Sequence, residues 1–294
     1  MQGSEKIPEV PVNLKISGLH FRAENIFFIL ENDDAITSTA FEELYLIAKK
    51  FDADVVVCES CYAIPEDMWH NVEFRRQLEP SSYQRGEFVT EPTLITESIE
   101  ERVKNCFNRR CLWTLWSKLI RRDFFIRNHL RFANNVIQDF LTTLCIMYVA
   151  EKYVRVPYVI NYYRVRNDSI SHEKLNADKY LRKYVKSLIA GFEYMEDFFK
   201  GRKFFQEHSD MKCLVLETCF RELQNYFLQA YTEIPNHELD ALLREEFADC
   251  QNTALMVYTF NAANFQRLQL FQAQQAKARI AEPEAEVNRL KNKE

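Results

Sequence analysis

The chain has 294 residues, and 38 Lys and Arg stand against 43 Asp and Glu, so the net charge of −5 argues against a nucleic-acid partner. Apolar residues make up 47%, enough for a sizeable core in one large or two ordinary domains, while only 5 Gly and 8 Pro point to long helices rather than a loop-rich or all-β fold. No apolar run reaches the roughly 18 residues a bilayer-spanning helix needs. The polar lead from Met1 to Lys15 has no signal-peptide core, and the 8 scattered Cys fit reduced thiols, so a cytoplasmic protein is expected.

Residues 1–24 show no period and read as an irregular lead-in. Ile26-Phe27-Phe28-Ile29-Leu30 is an unbroken apolar run, expected as a strand buried on both faces. Glu31-Asn32-Asp33-Asp34 follows at its C-terminal end, the place where open α/β sheets bind ligands. Carboxylates this close repel one another unless a cation lies among them, which suggests a divalent metal holding a phosphorylated substrate. The competing reading is an acidic turn ahead of a helix capped by Thr37 or Thr39.

Phe41, Leu44, Tyr45, Ile47, Ala48 and Phe51 recur at helical spacing, and Val55 to Cys58 reads as a second buried strand. Strand, helix, strand at this spacing predicts a βαβ unit, a parallel pair with a right-handed crossover. Cys58 and Cys61 form a CxxC with no second pair at zinc-ligand spacing, and two thiols at a strand end is the preferred reading over a redox pair. Residues 62–96 are irregular and polar, with Pro65, Pro80, Gly86 and Pro92, and read as a long loop, with one hairpin as an alternative, near the acidic turn. Glu97 to Phe107 is expected helical. Leu112 to Ile120 is apolar around Lys118, Asp139 to Lys152 is patterned as a helix, and Val154 to Val165 reads as extended, with Pro157 at a strand start or edge.

Between Arg102 and Arg131 nine basic residues accompany one acid, Asp123, a balance compatible with a phosphate-bearing substrate, an anionic membrane surface, or simply a solvated helix face. Residues 174–272 carry long amphipathic patterns such as Tyr180, Tyr184, Leu188 and Phe192, interrupted at Pro235-Asn236. Ile280, Pro283, Val287 and Leu290 form a short heptad seam broken by its proline. Three regions follow: 1–173, 174–272 and 273–294.

Taken in order, three segments resemble the bacterial family-2 glycosyltransferases of the GT-A fold. Phe28 to Val56 is similar to the family's strand, metal-binding DxD region and following helix. Leu112 to Phe132 resembles its acceptor-side Trp, Lys and (R/K)xxF pattern, and Asn135 to His172 resembles the segment that carries the catalytic-base Asp and then a YRxRxxSxS stretch. The resemblance implies a truncated GT-A, Rossmann-like α/β sheet followed by a mainly α-helical region, because the VSVIIPVYN-like strand and DDGSTD-like turn of the family's N-terminal half have no counterpart here.

It further implies transfer of a sugar from a nucleotide-sugar donor to a glycan or lipid-linked acceptor. Asp139 would be the general base. Glu31, Asp33 and Asp34 would surround Mg²⁺ or Mn²⁺, with Asp33 the foremost ligand. Lys118, Arg164 and Arg166 would offset phosphate charge, and Trp113 and Trp116 would stack on a sugar or fill the core. The family usually has Glu-Asp where this chain has Gln138-Asp139, and Asp where it has Glu31. His172 reads as a turn residue near a site-closing segment. Contact with a membrane face, and self-association through the C-terminal helices, are compatible with this pattern. Two other readings stay open: an impaired transferase remnant that acts through helical association, and a helical adaptor built on 174–294.

Overall fold

The computed structural model describes residues 25–31, 33–80, 88–108, 110, 114–133, 138–166, 177–219, 221, 234–250 and five positions between 269 and 277. The expectations for the lead-in, Trp113, His172 and the heptad seam lie outside these residues. By its contacts the chain divides into two units, one of residues 1–174 with 193–222 and the other of 175–192 with 223–294.

The first unit is built on a six-stranded mixed sheet. Its strands are β1 (Ile26–Phe28), β2 (Ala35–Ile36), β3 (Val55–Pro65), β4 (Thr93–Ile95), β5 (Lys118–Arg121) and β6 (Tyr153–Val165). The order is β1-β5-β3-β6-β2, and β4 pairs with β6 as well. Among the described residues only β3 and β6 pair in parallel, and the other pairings are antiparallel.

This corrects the expected βαβ unit. β1 and β3 point the same way, but β5 lies between them and is antiparallel to both. The helix α1 (Ala40–Phe51) therefore crosses over one intervening strand, a detail that strand–helix–strand spacing cannot show. β1 is also shorter than the apolar run and is not buried on both faces: Phe28 is buried, while Ile26 and Phe27 are half-exposed at the end of the strand order.

One face of the sheet is covered by α1. Leu44, Ile47 and Ala40 pack with Phe28, Val56, Cys58, Leu119, Val154 and Val156. Burying a leucine as fully as Leu44 is worth about 1.5–3 kcal/mol. Thr39 stands at the N-cap of α1 without a side-chain cap bond, and Asp52 ends the helix in the left-handed region at φ 48°, its N–H reaching the carbonyls of Ala48 and Lys49.

Two further helices of the unit, α3 (Ile99–Phe107) and α5 (Gln138–Val149), pack on each other. The Arg102 side chain donates to the carbonyls of Met147 and Ala150, which the end of α5 leaves without helical partners. One arginine of the basic stretch is thus a buried structural group rather than a surface charge.

The region expected as a loop from residue 62 is more regular than its composition suggests. β3 runs on to Pro65, a short α2 (Val72–Arg76) follows, and β4 closes onto β6. Pro157 is neither a start nor an edge: it lies inside β6, where the β3 register shifts between Cys58–Val156 and Ser60–Val159. A residue without an N–H is tolerated at such an irregularity. The remaining elements are α4 (Arg122–Arg127), α6 (Ala177–Phe199), α7 (Lys203–Glu207), α8 over residues 209–219, and α9 (Asn236–Glu246). In the second unit Arg182, on α6, pairs with Glu245 and Glu246 of α9. Among the described residues no helix is long and apolar enough to cross a membrane.

Candidate active site

The acidic turn sits where the C-terminal half of β6 passes β2. Asp34 N–H donates to the Glu31 carbonyl at 3.3 Å, closing the turn, and Ala35 and Ile36 then pair with Tyr162 and Asn161. The Arg164 backbone N–H donates to Asp34 Oδ1 at 2.9 Å, and Arg166 Nη1 lies 3.1 Å from Asp33 Oδ2. The turn is thereby tied to the YRVR segment by one main-chain bond and one ion pair.

The carboxylates of the turn are electrostatically uncomfortable. Burial pushes the Asp34 carboxyl up to about 7 against the Arg164 N–H that lowers it, and the charges of Asp33 and Glu31 raise it further. Among the described residues no donor reaches Asp34 Oδ2, although it is buried. Glu31 is raised as well, by burial first, then by the charges of Asp139 and Asp33.

Asp139 enters from a distant part of the chain. It stands in the first turn of α5, with Oδ2 facing the Leu115 N–H at 3.5 Å. Burial raises its carboxyl above the usual value, and the Leu115 N–H and the Lys118 charge pull it back. An acid at a helix N-terminus also benefits from the macrodipole. Glu31 and Asp139, on opposite sides of the sequence pattern, thus come within electrostatic reach of each other.

Lys118 is fully buried and donates to the Thr114 carbonyl at 2.5 Å and to Ser117 Oγ at 3.2 Å. Its charge acts on Asp139 from inside the protein, and it is not displayed at the surface. Trp116 is buried, its ring stacked on Tyr163 at 5.7 Å and its carbonyl accepting from Asn161 Nδ2 at 2.9 Å. Arg164 is held by Glu66 in a two-bond fork at 2.7 and 2.5 Å and lies over the Trp69 ring. The structure ties Asp33 to Arg166, Asp34 to the Arg164 main chain, and Asp139 by charge to Glu31 and Lys118, all within one unit, while the Arg164 side chain goes to Glu66. Its contacts make Trp116 and Lys118 internal supports.

Tyr163 was not singled out from the sequence. Its phenol is raised by burial and then by the charges of Asp34, Asp33, Cys61 and Glu31, which places it among the acids. The period of two along β6 puts Asn161 and Tyr163 on one face and Tyr162 and Arg164 on the other. That alternation was the available signal. Glu66 and Trp69 gave none, because their approach depends on the continuation of β3.

Among the described residues no three His, Cys, Asp or Glu side chains are gathered closely enough to hold a metal ion by themselves. Two carboxylates, with substrate phosphates and water supplying the other oxygens, are the usual complement for Mg²⁺. Asp33 and Glu31 fit that description in charge and donor type.

No family model matches the chain. Over 136 residues it is 32% identical to the cholesterol galactosyltransferase of Borreliella burgdorferi, covering 45% of this chain and 35% of that protein. Over 169 residues it is 24% identical to the uncharacterized glycosyltransferase EpsJ of Bacillus subtilis, covering 56% of this chain and 45% of that protein. The matches span less than half the length of these relatives. Among solved structures, the 1–349 fragment of S. aureus TarS superposes with a TM-score of 0.49 at 10% identity, over 80% of this chain and 58% of that one. The same fragment in complex with UDP-GlcNAc gives 0.45 at 12% identity, over 83% and 68%. This α/β chain is thus glycosyltransferase-like in sequence over roughly half its length.

Proposed function

We propose that the chain belongs to the family-2, GT-A glycosyltransferases and transfers a hexosyl group from a nucleotide-sugar donor to a glycan or lipid-linked acceptor, with Asp139 as general base. The observation that carries this reading is the approach of Asp139 to the Glu31–Asp34 turn, two acidic elements brought together from about a hundred residues apart, with Glu31 feeling the Asp139 charge. An inverting transfer needs a carboxylate to take the acceptor hydroxyl proton as the new glycosidic bond forms and the nucleoside diphosphate leaves. A base whose carboxyl is raised by burial accepts that proton more readily than a solvated aspartate. Asp33 and Glu31 would hold Mg²⁺ or Mn²⁺, which supplies positive charge for the departing diphosphate. Arg166, paired with Asp33 in the structure, would turn to the same phosphates when a cation takes Asp33. Arg164 stays with Glu66 and orients the strand end that binds Asp34. Surface-polysaccharide or glycan synthesis at the inner membrane face is the setting in which such an acceptor would be met.

The Asp33–Arg166 ion pair favours a second reading, a remnant with impaired donor binding, because a cation must displace Arg166 before Asp33 can ligate it. Calorimetry with UDP-sugars and Mn²⁺ separates the two. The transferase reading expects binding that persists in Asp139→Asn while transfer is lost. Absence of binding at millimolar donor would leave only the remnant, and full transfer in Asp139→Asn would remove that residue from the base role.

A further inference from the structure

A groove of about 410 Å³ lies in the first unit, between residues 129–131 after α4 and the C-terminal end of α6 with its following turn. It shares no residue with the candidate active site. Arg131, Lys200 and Arg202 line it against a single carboxylate, Asp197, leaving a surplus of positive charge.

Arg202 is the fixed member. Its Nη2 donates to the Asn128 carbonyl at 2.8 Å, and its guanidinium lies 4.1 Å from the Phe198 ring centroid. Its Nε is buried, and no acceptor among the described residues reaches it. Burial holds the guanidinium below its ordinary pKa, as expected for a cation drawn from water without a counter-charge. Gly201, at φ 73°, turns the chain between Lys200 and Arg202 so that both line the groove. Arg131 lies over the Tyr194 ring at 5.2 Å and shares Asp197 with Lys200, at 2.9 and 2.8 Å. Both side chains are more than half exposed, so they can change partner.

Basic residues after a helix ordinarily offset the macrodipole and cap the last carbonyls. That accounts for Lys200. Arg202 likewise serves the C-terminal end of α4 through the Asn128 carbonyl, which uses one N–H of a five-donor guanidinium, and neither duty explains Arg131, which comes from another element.

We propose that this groove binds a phosphate group, with Arg202 as the pre-set donor and Arg131 and Lys200 as arms that exchange Asp197 for phosphate oxygens. The Nη groups of a planar guanidinium suit phosphate oxygens, and the volume admits a phosphate with a small attached group. The proposal does not rest on the transferase reading, and Asp139→Asn leaves it untouched.

The full chain is titrated with inorganic phosphate by calorimetry, and in a second arm sedimented with phosphatidylcholine vesicles with and without phosphatidic acid. Saturable binding in either arm, weakened roughly tenfold or more by Arg202→Gln or by Arg131→Gln with Lys200→Gln, supports the site. Binding only to vesicles that contain phosphatidic acid identifies a lipid headgroup, and binding of inorganic phosphate alone identifies a soluble phosphate. Circular dichroism checks the fold of Arg202→Gln; if it is lost, the exposed double variant carries the test alone. No binding in either arm, or binding unchanged in every folded variant, overturns the proposal.

Discussion

The Arg164 backbone N–H donates to Asp34 Oδ1 at 2.9 Å, a bond between residues 130 positions apart. It fixes one oxygen of a carboxyl whose other oxygen is buried without a donor among the described residues. The carboxyl, pushed from 3.8 up to about 7, is therefore more easily protonated in the folded chain than in the unfolded one. The folded state binds the extra proton between those values, so stability falls as pH rises through this window. Asp34→Asn keeps an oxygen for the Arg164 N–H and removes the charge. Its melting temperature is expected several degrees above wild type at pH 8, a gain of about 1–3 kcal/mol, and no higher at pH 4. A thermal melt series from pH 4 to 8 decides it; parallel curves for the two proteins would show that Asp34 ionises without strain.

Asp139 gives a kinetic counterpart. Its carboxyl is raised by burial, so the acid limb of kcat/KM for transfer is expected above the ordinary aspartate range. The Glu31 charge opposes it across the site, and repulsion between two carboxylates is reciprocal. Glu31→Gln removes the facing charge and should move the limb to lower pH. A limb that stays in place in Glu31→Gln would mean that the two groups do not titrate together.

How far the sequence revealed the site depends on what kind of contact builds each part. The apolar run before Glu31 and the helical period of Phe41 to Phe51 are local signals, and both elements formed close to where they were expected. The insertion of β5 between β1 and β3 is a long-range event, and no local pattern carries it. For the same reason the apolar neighbours of Lys118 are legible in the sequence, but not the Thr114 carbonyl that receives its ammonium inside the protein. Tyr163 lies between the arginine motif and Tyr162, and its alternation with Tyr162 along β6 is the local pattern that marks it. The Arg202 groove had no local signal, because its two sides join residues about seventy positions apart.

The start of α3 offers a test of local chemistry away from the site. Ser98 Oγ accepts from the Glu101 N–H at 3.2 Å, and Glu101 Oε2 accepts from the Ser98 N–H at 2.7 Å, a complete capping box. The bonds from Ser98 also hold the Glu101 carboxyl below its usual range. Ser98→Ala is expected to cost about 1 kcal/mol, measured as a lower urea midpoint with an unchanged slope. Ser98→Asp should retain most of the stability, since a carboxylate serves equally well at an N-cap. Equal losses in both variants would assign the effect to the hydroxyl's surroundings rather than to the cap.

Asp54 is a multiply bonded carboxylate beside the sheet. It is 3% exposed at the entry to β3, and its Oδ2 accepts the N–H groups of Glu151 and Lys152, both at 3.0 Å, while Oδ1 pairs with Arg121 of β5. One side chain therefore joins β3, β5 and the turn that leads from α5 into β6, the strand on which the candidate site is built. Asp54→Ala leaves two main-chain donors without their acceptor and Arg121 with only Asp52 and Asp123, and each buried group left unsatisfied costs about 1–3 kcal/mol. Asp54→Asn keeps one acceptor oxygen and should lose less. Because the turn into β6 loosens at the same time, hydrogen exchange at the Glu151 and Lys152 amides is expected to accelerate in Asp54→Ala before the α1 amides respond. Uniform acceleration across both would mean that Asp54 supports global stability alone and does not position the strand.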